Sequence, residues 1–304
     1  MRILVTGHRG FVGTQVASFL QGRGHEVAGF DLADGADLLD LAAVGRAAAG
    51  CAAVVHLGAL AHDSAGSPDQ IMAVNVLGTW HVLLAAETAG VQRVVQFSSA
   101  QVFGIAEGER LPDYFPVDDA HPRRAMRPYG LSKRLAEDLC DGFTARTGIA
   151  TVCLRPVEVW APAQYQRTRD QWRADPRSEW HPYWEYGAFV DVRDVAAAVG
   201  RALTVPPGGH HRTLLCAADI AGTAPSLDLA SRLNPPRAGH RPGPLPRRSL
   251  ASPRRLLSRH GGVWMAARPP LVHPRPAAHA ITPLAANEDA GEAACVSPCQ
   301  AWIR

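Results

Sequence analysis

The sequence contains almost no lysine. Of its 31 lysine and arginine residues, a single one, Lys133, is lysine. A chain that uses arginine everywhere else is expected to keep a lysine where a compact ammonium with rotatable donors is needed, because the planar arginine fork cannot replace it. The alternative is that one lysine survives by chance. Its position in the chain, described below, favours the functional interpretation.

Long apolar runs and paired cysteines are also missing. No segment approaches the roughly 18–20 apolar residues of a membrane span, and residues 1–8 resemble a strand and turn rather than a signal peptide. The six cysteines form no CxxC pair and no spaced His/Cys set. We therefore expect a cytoplasmic protein without a metal site, a disulfide framework or a membrane partner.

The net charge of +3 is concentrated in the C-terminal segment. Residues 234–304 contain ten arginines and three acidic residues, so the first 233 residues carry a net charge of −4. A basic tail on an acidic body does not form the basic face that binds nucleic acid. No nucleic-acid partner is predicted.

The same segment, residues 234–304, is atypical of a folded domain. It holds 12 of the 24 prolines and shows little helical or strand periodicity. Two explanations are open: a flexible tail, or a GC-rich reading frame translated out of register. In the second case we expect cofactor binding to survive while the substrate site fails.

Short apolar runs alternate with segments of helical spacing along the first 155 residues. This alternation predicts an α/β fold with a doubly wound parallel Rossmann sheet. Residues 156–188 break the rhythm and are interpreted as a substrate-side excursion. The predicted strands cover 2–6, 26–31, 53–57, 93–98, 150–155 and 189–194, and the predicted helices cover 11–20, 40–49, 68–89, 129–147 and 195–203, the last with Asp194 as N-cap.

A glycine-rich turn follows the first predicted strand and opens the first predicted helix. Gly7 permits the tight turn, Gly10 lets the backbone approach a pyrophosphate, and Gly13 allows close packing of helix on strand. The helix N-terminus supplies N–H groups for the phosphates. The turn predicts a dinucleotide site that also includes the intervening residues Arg9, Phe11 and Val12.

An acidic residue stands where the second predicted strand ends. Asp31 suits a carboxylate that accepts hydrogen bonds from the adenosine ribose and repels a 2′-phosphate, which favours NAD. Arg9, in the glycine turn, could reach a 2′-phosphate and so favours NADP, and the sequence leaves NADP open as the alternative cofactor. Asp37 and Leu38 are candidates for contacts with the adenine.

The pair Tyr129 and Lys133 is spaced so that both side chains share one face of a predicted helix. A tyrosine has an ordinary pKa of about 10, and a nearby ammonium lowers it by stabilising the phenolate. Tyr129 can then take a hydroxyl proton while hydride leaves the same carbon. Ser99, after the fourth predicted strand, is placed to hydrogen-bond the reacting oxygen.

These motifs together resemble the extended short-chain dehydrogenase/reductase family, also called the NAD-dependent epimerase/dehydratase family. Further matches are the runs beginning at His56, Asn75, Leu154 and Phe189. The resemblance covers about residues 1–220. It implies a Ser99–Tyr129–Lys133 triad, a cofactor contact for Asn75 with support of the active-site helix, and a cofactor wall formed by Leu57, Gly58 and Ala59.

The resemblance also implies a sugar or sugar-nucleotide substrate and a homodimer built from the helices at 68–89 and 129–147. It implies an NAD(P)-binding domain of residues 1–155 plus 189–220. A small C-terminal substrate lobe would combine residues 156–188 with 221–304.

Within the family, the residues after Ser99 disfavour elimination chemistry. The family's 4,6-dehydratases carry an Asp-Glu pair where this chain has Ala100 and Gln101. The remaining members that it resembles are UDP-glucose 4-epimerases and uronate dehydrogenases, the latter with exchangeable NAD. A non-catalytic NAD(P) sensor is a third alternative, although such proteins usually lack the Tyr/Lys pair that is present here.

Overall fold

A computed structural model of the chain describes residues 1–105, 110–114, 117–175, 187–204, 208–217 and 221. Within these residues the strands are β1 (Arg2–Thr6), β2 (Glu26–Phe30), β3 (Ala53–His56), β4 (Arg93–Phe97), β5 (Ala150–Pro156), β6 (Glu158–Trp160), β7 (Phe189–Asp191) and β8 (His210–Leu215). The α-helices are α1 (Phe11–Gln21), α2 (Leu41–Ala48), α3 (Pro68–Met72), α4 (Gly78–Thr88), α5 (Pro128–Thr147), α6 (Pro162–Ala174) and α7 (Val192–Ala202).

Six strands form one fully parallel sheet in the order β2-β1-β3-β4-β5-β8. The chain starts at β1, runs outward to β2 and then returns to lay β3, β4, β5 and β8 on the other side. This arrangement confirms the predicted doubly wound Rossmann sheet. It also creates a topological switch point between β1 and β3, where parallel sheets bind ligands at their carboxyl ends.

Both faces of the sheet are covered, and the strand residues alternate between two cores. Ile3 and Val5 pack toward α1 and α7, whereas Leu4 between them packs toward α2 and α4. Successive side chains of a strand point to opposite faces. Buried apolar residues on both faces are typical of a parallel sheet.

Helices α3 and α4 are joined without a break by a π-helical turn, Ala73–Leu77. The resulting helix, Pro68–Thr88, has 21 residues and a mean hydropathy of 1.3, so its length and composition alone would fit a membrane span. In this fold it packs against α2, α5 and β3. A core helix of an α/β unit passes the same test of length and composition.

Several predicted boundaries differ from the structure. Residues 156–188, read as an excursion without periodicity, contain β6 and α6, and β6 pairs with β7 as a second, two-stranded parallel sheet. The N-cap of α7 is Asp191 and not Asp194, because Asp191 accepts a hydrogen bond from the Arg193 amide. Strand β8 was not predicted. The atypical segment 234–304 lies outside the described residues.

Candidate active site

A cleft of about 870 Å³ runs along the carboxyl ends of the strands, from β2 across the switch point to β5 and β6. All of the predicted site residues line it except Asn75. Those that do are Gly7, Arg9, Gly10, Phe11, Val12, Gly13, Asp31, Asp37, Leu38, Leu57, Gly58, Ala59, Ser99, Tyr129 and Lys133. The sequence motifs, scattered over 127 residues, therefore meet on one surface.

The glycine turn leaves no room for side chains where it meets its neighbours. A Cβ atom on Gly13 would lie 1.9 Å from the Gly7 carbonyl oxygen, and one on Gly7, whose φ is +70°, would lie 2.7 Å from the Gly58 nitrogen. The N-cap of α1, Gly10, makes no side-chain capping bond, and the first turn holds no acidic residue. A helix start of this kind suits the phosphates of a dinucleotide.

At the β2 end of the cleft, Asp31 is held by backbone amides. Its carboxylate accepts hydrogen bonds from the Arg9 N–H (3.0 Å) and the Ala33 N–H (3.0 Å). The Arg9 side chain turns to a different acid, Asp34. Asp31 is thus fixed at the end of β2, where ribose hydroxyls bind in this fold.

Leu38 and Gly58 form one wall of the cleft. The Leu38 side chain packs so closely on Gly58 that a Cβ there would lie 2.9 Å from Leu38 Cδ1. The neighbouring Asp37 lines the cleft and also accepts a hydrogen bond from the Leu39 amide. Leu57 and Ala59 continue the wall toward the other end of the cleft.

Tyr129 and Lys133 lie at that other end, on the first two turns of α5. Both are buried, and the Lys133 Nζ lies 5.7 Å from the centre of the Tyr129 ring. Nζ donates a hydrogen bond to the Phe97 carbonyl oxygen at 2.9 Å. Burial lowers the pKa of Lys133 to about 8, because the interior disfavours the charged form.

The two serines after β4 have different surroundings. Ser99 caps the short 3₁₀ turn that follows β4, accepting a hydrogen bond from the Gln101 amide at 3.1 Å. Ser98 donates to the buried Glu137 carboxylate at 2.6 Å. Both line the cleft, but the Ser98 hydroxyl proton is already committed to Glu137, so Ser99 is the better candidate for contact with a reacting oxygen.

Asn75, predicted to bind the cofactor and support the active-site helix, lies behind the cleft. Its Nδ2 donates to the Leu60 carbonyl and to Ser132 Oγ, both at 3.0 Å, and its Oδ1 accepts from the Leu60 amide at 2.8 Å. Ser132 in turn donates to the Tyr129 carbonyl. The amide is fully used in joining the loop after β3 to α5.

A chain of hydrogen bonds links Thr6, at the end of β1, to the same region. Gly58 N–H donates to Thr6 Oγ1, which contacts His56 Nδ1 at 2.6 Å, and His56 Nε2 contacts Thr79 Oγ1 at 3.2 Å. Thr79 donates to the Asn75 carbonyl. Since the Thr79 hydroxyl proton goes to the Asn75 carbonyl, His56 donates to Thr79 from Nε2, and the neutral ring accepts the Thr6 hydroxyl proton at Nδ1. Burial, and secondarily the Lys133 ammonium, lower its pKa to about 3.

Sequence reasoning missed two acids near the site. Asp34 binds the Arg9 guanidinium, and Asp63 accepts a hydrogen bond of 2.7 Å from the Tyr129 amide at the start of α5. Helix α5 has no side-chain cap of its own, so Asp63 provides one from 66 residues away. Neither contact follows from local spacing. The signal available for Asp34 was the run Asp-Leu-Ala-Asp at 31–34, which places two acids after the second strand while Arg9 lies in the turn after the neighbouring first strand.

The fold and the cleft together define a nicotinamide-dependent enzyme with a Rossmann sheet. Residues 3–216 match the model of the NAD dependent epimerase/dehydratase family, and the chain belongs to that family.

Relatives within the family have several activities. A uronate dehydrogenase of Pseudomonas putida is 33% identical over 223 residues, covering 69% of this chain and 74% of that protein. A UDP-glucose 4-epimerase of Streptomyces lividans is 30% identical over 170 residues, half of each chain. A solved short-chain dehydrogenase/reductase superfamily protein of Agrobacterium tumefaciens with bound NAD is 28% identical, with a TM-score of 0.61 and coverage of 77% of this chain and 81% of that one.

Proposed function

We propose that this protein is an NAD-dependent dehydrogenase that oxidises a hydroxyl-bearing carbon of a free sugar or sugar acid, with Tyr129 as the base. The observation that carries the proposal is the burial of Lys133 beside Tyr129 at the end of the cleft opposite Asp31. The alternative of a non-catalytic sensor is disfavoured because such a protein has no use for a buried ammonium beside a phenol.

Each residue of the proposed triad has a distinct task. Tyr129 takes the proton of the substrate hydroxyl, and the Lys133 ammonium stabilises the phenolate that has to be present before this transfer. Ser99 donates a hydrogen bond to the same substrate oxygen as it becomes a carbonyl oxygen. The bound nicotinamide supplies the acceptor for the hydride.

A uronate is the first substrate to test, because the relative from Pseudomonas putida, named a uronate dehydrogenase, is 33% identical over three quarters of its length. One observation favours a second candidate, a neutral aldose. Glu158, on β6, lines the cleft, and its carboxylate would repel the carboxylate of a uronate. Both candidate substrates would use the same triad. They differ in the group that faces residues 156–159 of the cleft: a carboxylate in a uronate and a neutral hydroxymethyl group in an aldose.

The test is NAD reduction by the purified full-length protein, followed by absorbance, with a uronate, a neutral aldose and a UDP-hexose as substrates. We expect reduction with the uronate or the aldose. The Y129F variant should lose at least about 100-fold in kcat, the usual contribution of an acid–base group. Its Kd for NADH should stay within about threefold, since the phenol hydroxyl is all that changes.

Three results would overturn parts of the proposal. Turnover that persists in Y129F removes the base assignment. Interconversion of UDP-hexoses without net NAD reduction makes the protein an epimerase. An enzyme that binds NADH and turns over none of the three classes removes the proposed substrate range.

A further inference from the structure

Arg9 lines the β2 end of the cleft, which we call the adenosine end because the adenosine ribose binds beside the second strand in this fold. Among the described residues that line the cleft, the other cation is Lys133, at the opposite end. The Arg9 side chain is 60% exposed. Guanidinium groups bind phosphate readily, and an arginine beside the adenosine ribose is a device by which Rossmann proteins accept the 2′-phosphate of NADP. Arg9 taken alone therefore predicts an enzyme that accepts NADP.

The structure directs this guanidinium elsewhere. Arg9 Nε lies 3.1 and 3.0 Å from the two carboxylate oxygens of Asp34, and Nη2 makes a further bond to Oδ1. The His8 ring also contacts this carboxylate, with Nε2 at 3.3 Å. The Arg9 guanidinium holds the pKa of Asp34 below its ordinary value, so Asp34 is ionised at neutral pH.

Asp31 and Asp34 act on different parts of the same arginine. Asp31 accepts the Arg9 backbone N–H and lines the cleft, whereas Asp34 binds the Arg9 side chain and is not among the residues that line it. Asp31 can therefore repel a 2′-phosphate directly, while Asp34 affects that phosphate only through Arg9.

We propose that Asp34 is a specificity-determining residue, which makes the chain selective for NAD by withholding Arg9 from the 2′-phosphate position. This inference rests on the proposed use of a nicotinamide dinucleotide. A 2′-phosphate has to displace the Asp34 carboxylate from Arg9 and then lie between two negative side chains. The Arg9–Asp34 pair is exposed and screened by solvent. Asp31 therefore makes the chain prefer NAD over NADP, and Asp34 increases that preference.

The experiment measures Kd for NADH and NADPH by nucleotide fluorescence on the full chain, without substrate. The proteins are wild type, D34A, R9A and R9A/D34A. In D34A we expect the Kd for NADPH to fall by about fivefold, the upper end of what one exposed charged contact contributes. The Kd for NADH should change by less than about twofold, because the Asp31 contacts to backbone amides remain.

The double variant R9A/D34A is the decisive control. Removal of a negative charge near the cleft would improve NADPH binding whether or not Arg9 is present. If Asp34 acts through Arg9, the gain in D34A disappears in R9A/D34A. A gain that persists there, or an unchanged NADPH affinity in D34A, overturns the role of Asp34.

Failure of this inference is distinguishable from failure of the proposed function. If wild type binds neither nucleotide, the proposed cofactor use is wrong. If wild type binds NADH and D34A leaves the ratio of the two Kd values unchanged, only the role of Asp34 is wrong. Equal thermal midpoints of wild type and D34A show that the folds compared are the same.

Discussion

The Lys133 Nζ donates a 2.9 Å hydrogen bond to the Phe97 carbonyl at the carboxyl end of β4. The ammonium is thus tied to the sheet as well as to its own helix, and it lies 5.7 Å from the Tyr129 ring centre. The spacing of two residues on a helix places their side chains on one face but does not fix where the ammonium lies relative to the sheet. The bond to β4 fixes that position, so Lys133 is a rigid support for Tyr129.

The first prediction concerns the K133M variant, which removes the ammonium and keeps an apolar stem of similar length. We expect kcat to fall at least about 100-fold, while the thermal midpoint at pH 7 stays equal or rises. The reason is that burial lowers the Lys133 pKa to about 8, so holding the charge inside costs stability at neutral pH. Calorimetry and the NAD reduction assay check the two expectations.

K133R is the matched comparison, since it keeps the charge. We expect it to be inactive and less stable than wild type, because a planar guanidinium does not fit a site that holds a compact ammonium. An active K133R would show that charge alone suffices. A large drop in the thermal midpoint of K133M would show that Lys133 is needed for folding.

The second prediction concerns acid stability and His56. Its pKa is about 3 in the folded chain and about 6.5 when unfolded, so only the unfolded chain takes up the proton between these values. The stability that depends on neutral His56 is complete above about pH 6.5 and is lost as the pH falls toward 3. Wild type should lose about 2 kcal/mol more than H56Q between pH 7 and pH 5.

Urea unfolding of both proteins at the two pH values gives this difference. His210, whose pKa burial lowers to about 4, contributes to both proteins alike and cancels. H56Q should be about 1 kcal/mol less stable at pH 7 because a bond to Thr6 or Thr79 is lost. Parallel losses in the two proteins would mean that His56 is not the group that titrates.

The third prediction concerns the buried carboxylate behind Ser98. Glu137 is fully buried and accepts hydrogen bonds from Arg155 Nε (2.7 Å) and Nη2 (2.8 Å), and Arg155 is itself 1% exposed. E137Q leaves the Arg155 charge buried without its anion. Breaking a buried pair from one side typically costs about 3–5 kcal/mol, and we expect this loss in urea unfolding.

D138N provides the control on the next residue of α5. Asp138 is half-exposed and contacts Arg123 at 2.7 Å, so its loss should cost less than about 1 kcal/mol. Equal losses in E137Q and D138N would show that the buried position of Glu137 adds nothing to its ion pair.

Local patterns made the sheet, the glycine turn and the Tyr129–Lys133 pair predictable from sequence. The glycine turn depends on Gly7 and Gly13, six positions apart, and the pair on residues four positions apart, while the sheet follows from short strand and helix patterns that alternate along the chain. Asp63 and Asp34 were missed because their partners, the Tyr129 amide and Arg9, are 66 and 25 residues away. Only the folded chain brings them together.

The predicted start of helix α7 was wrong because two residues could serve as its N-cap. Asp191 and Asp194 are both acids before an apolar helix, and the backbone at Asp191 alone decides which of them caps α7. Strand β8 was missed because its sequence, His-His-Arg-Thr-Leu-Leu, has only two apolar residues and no strand pattern. Its pairing with β5 is visible only in the folded chain. The dimer, the substrate lobe and the roles of the site residues stay predictions.

Because Lys133 is the one lysine in the sequence, amine-directed labelling of the protein has a single side-chain target. Besides the amino terminus, the protein carries one primary amine, which is 4% exposed and has a pKa of about 8. A reagent that acylates amines can modify this side chain only by entering the cleft. The labelling rate at one position would thus report how open the interior is and which molecules shield it.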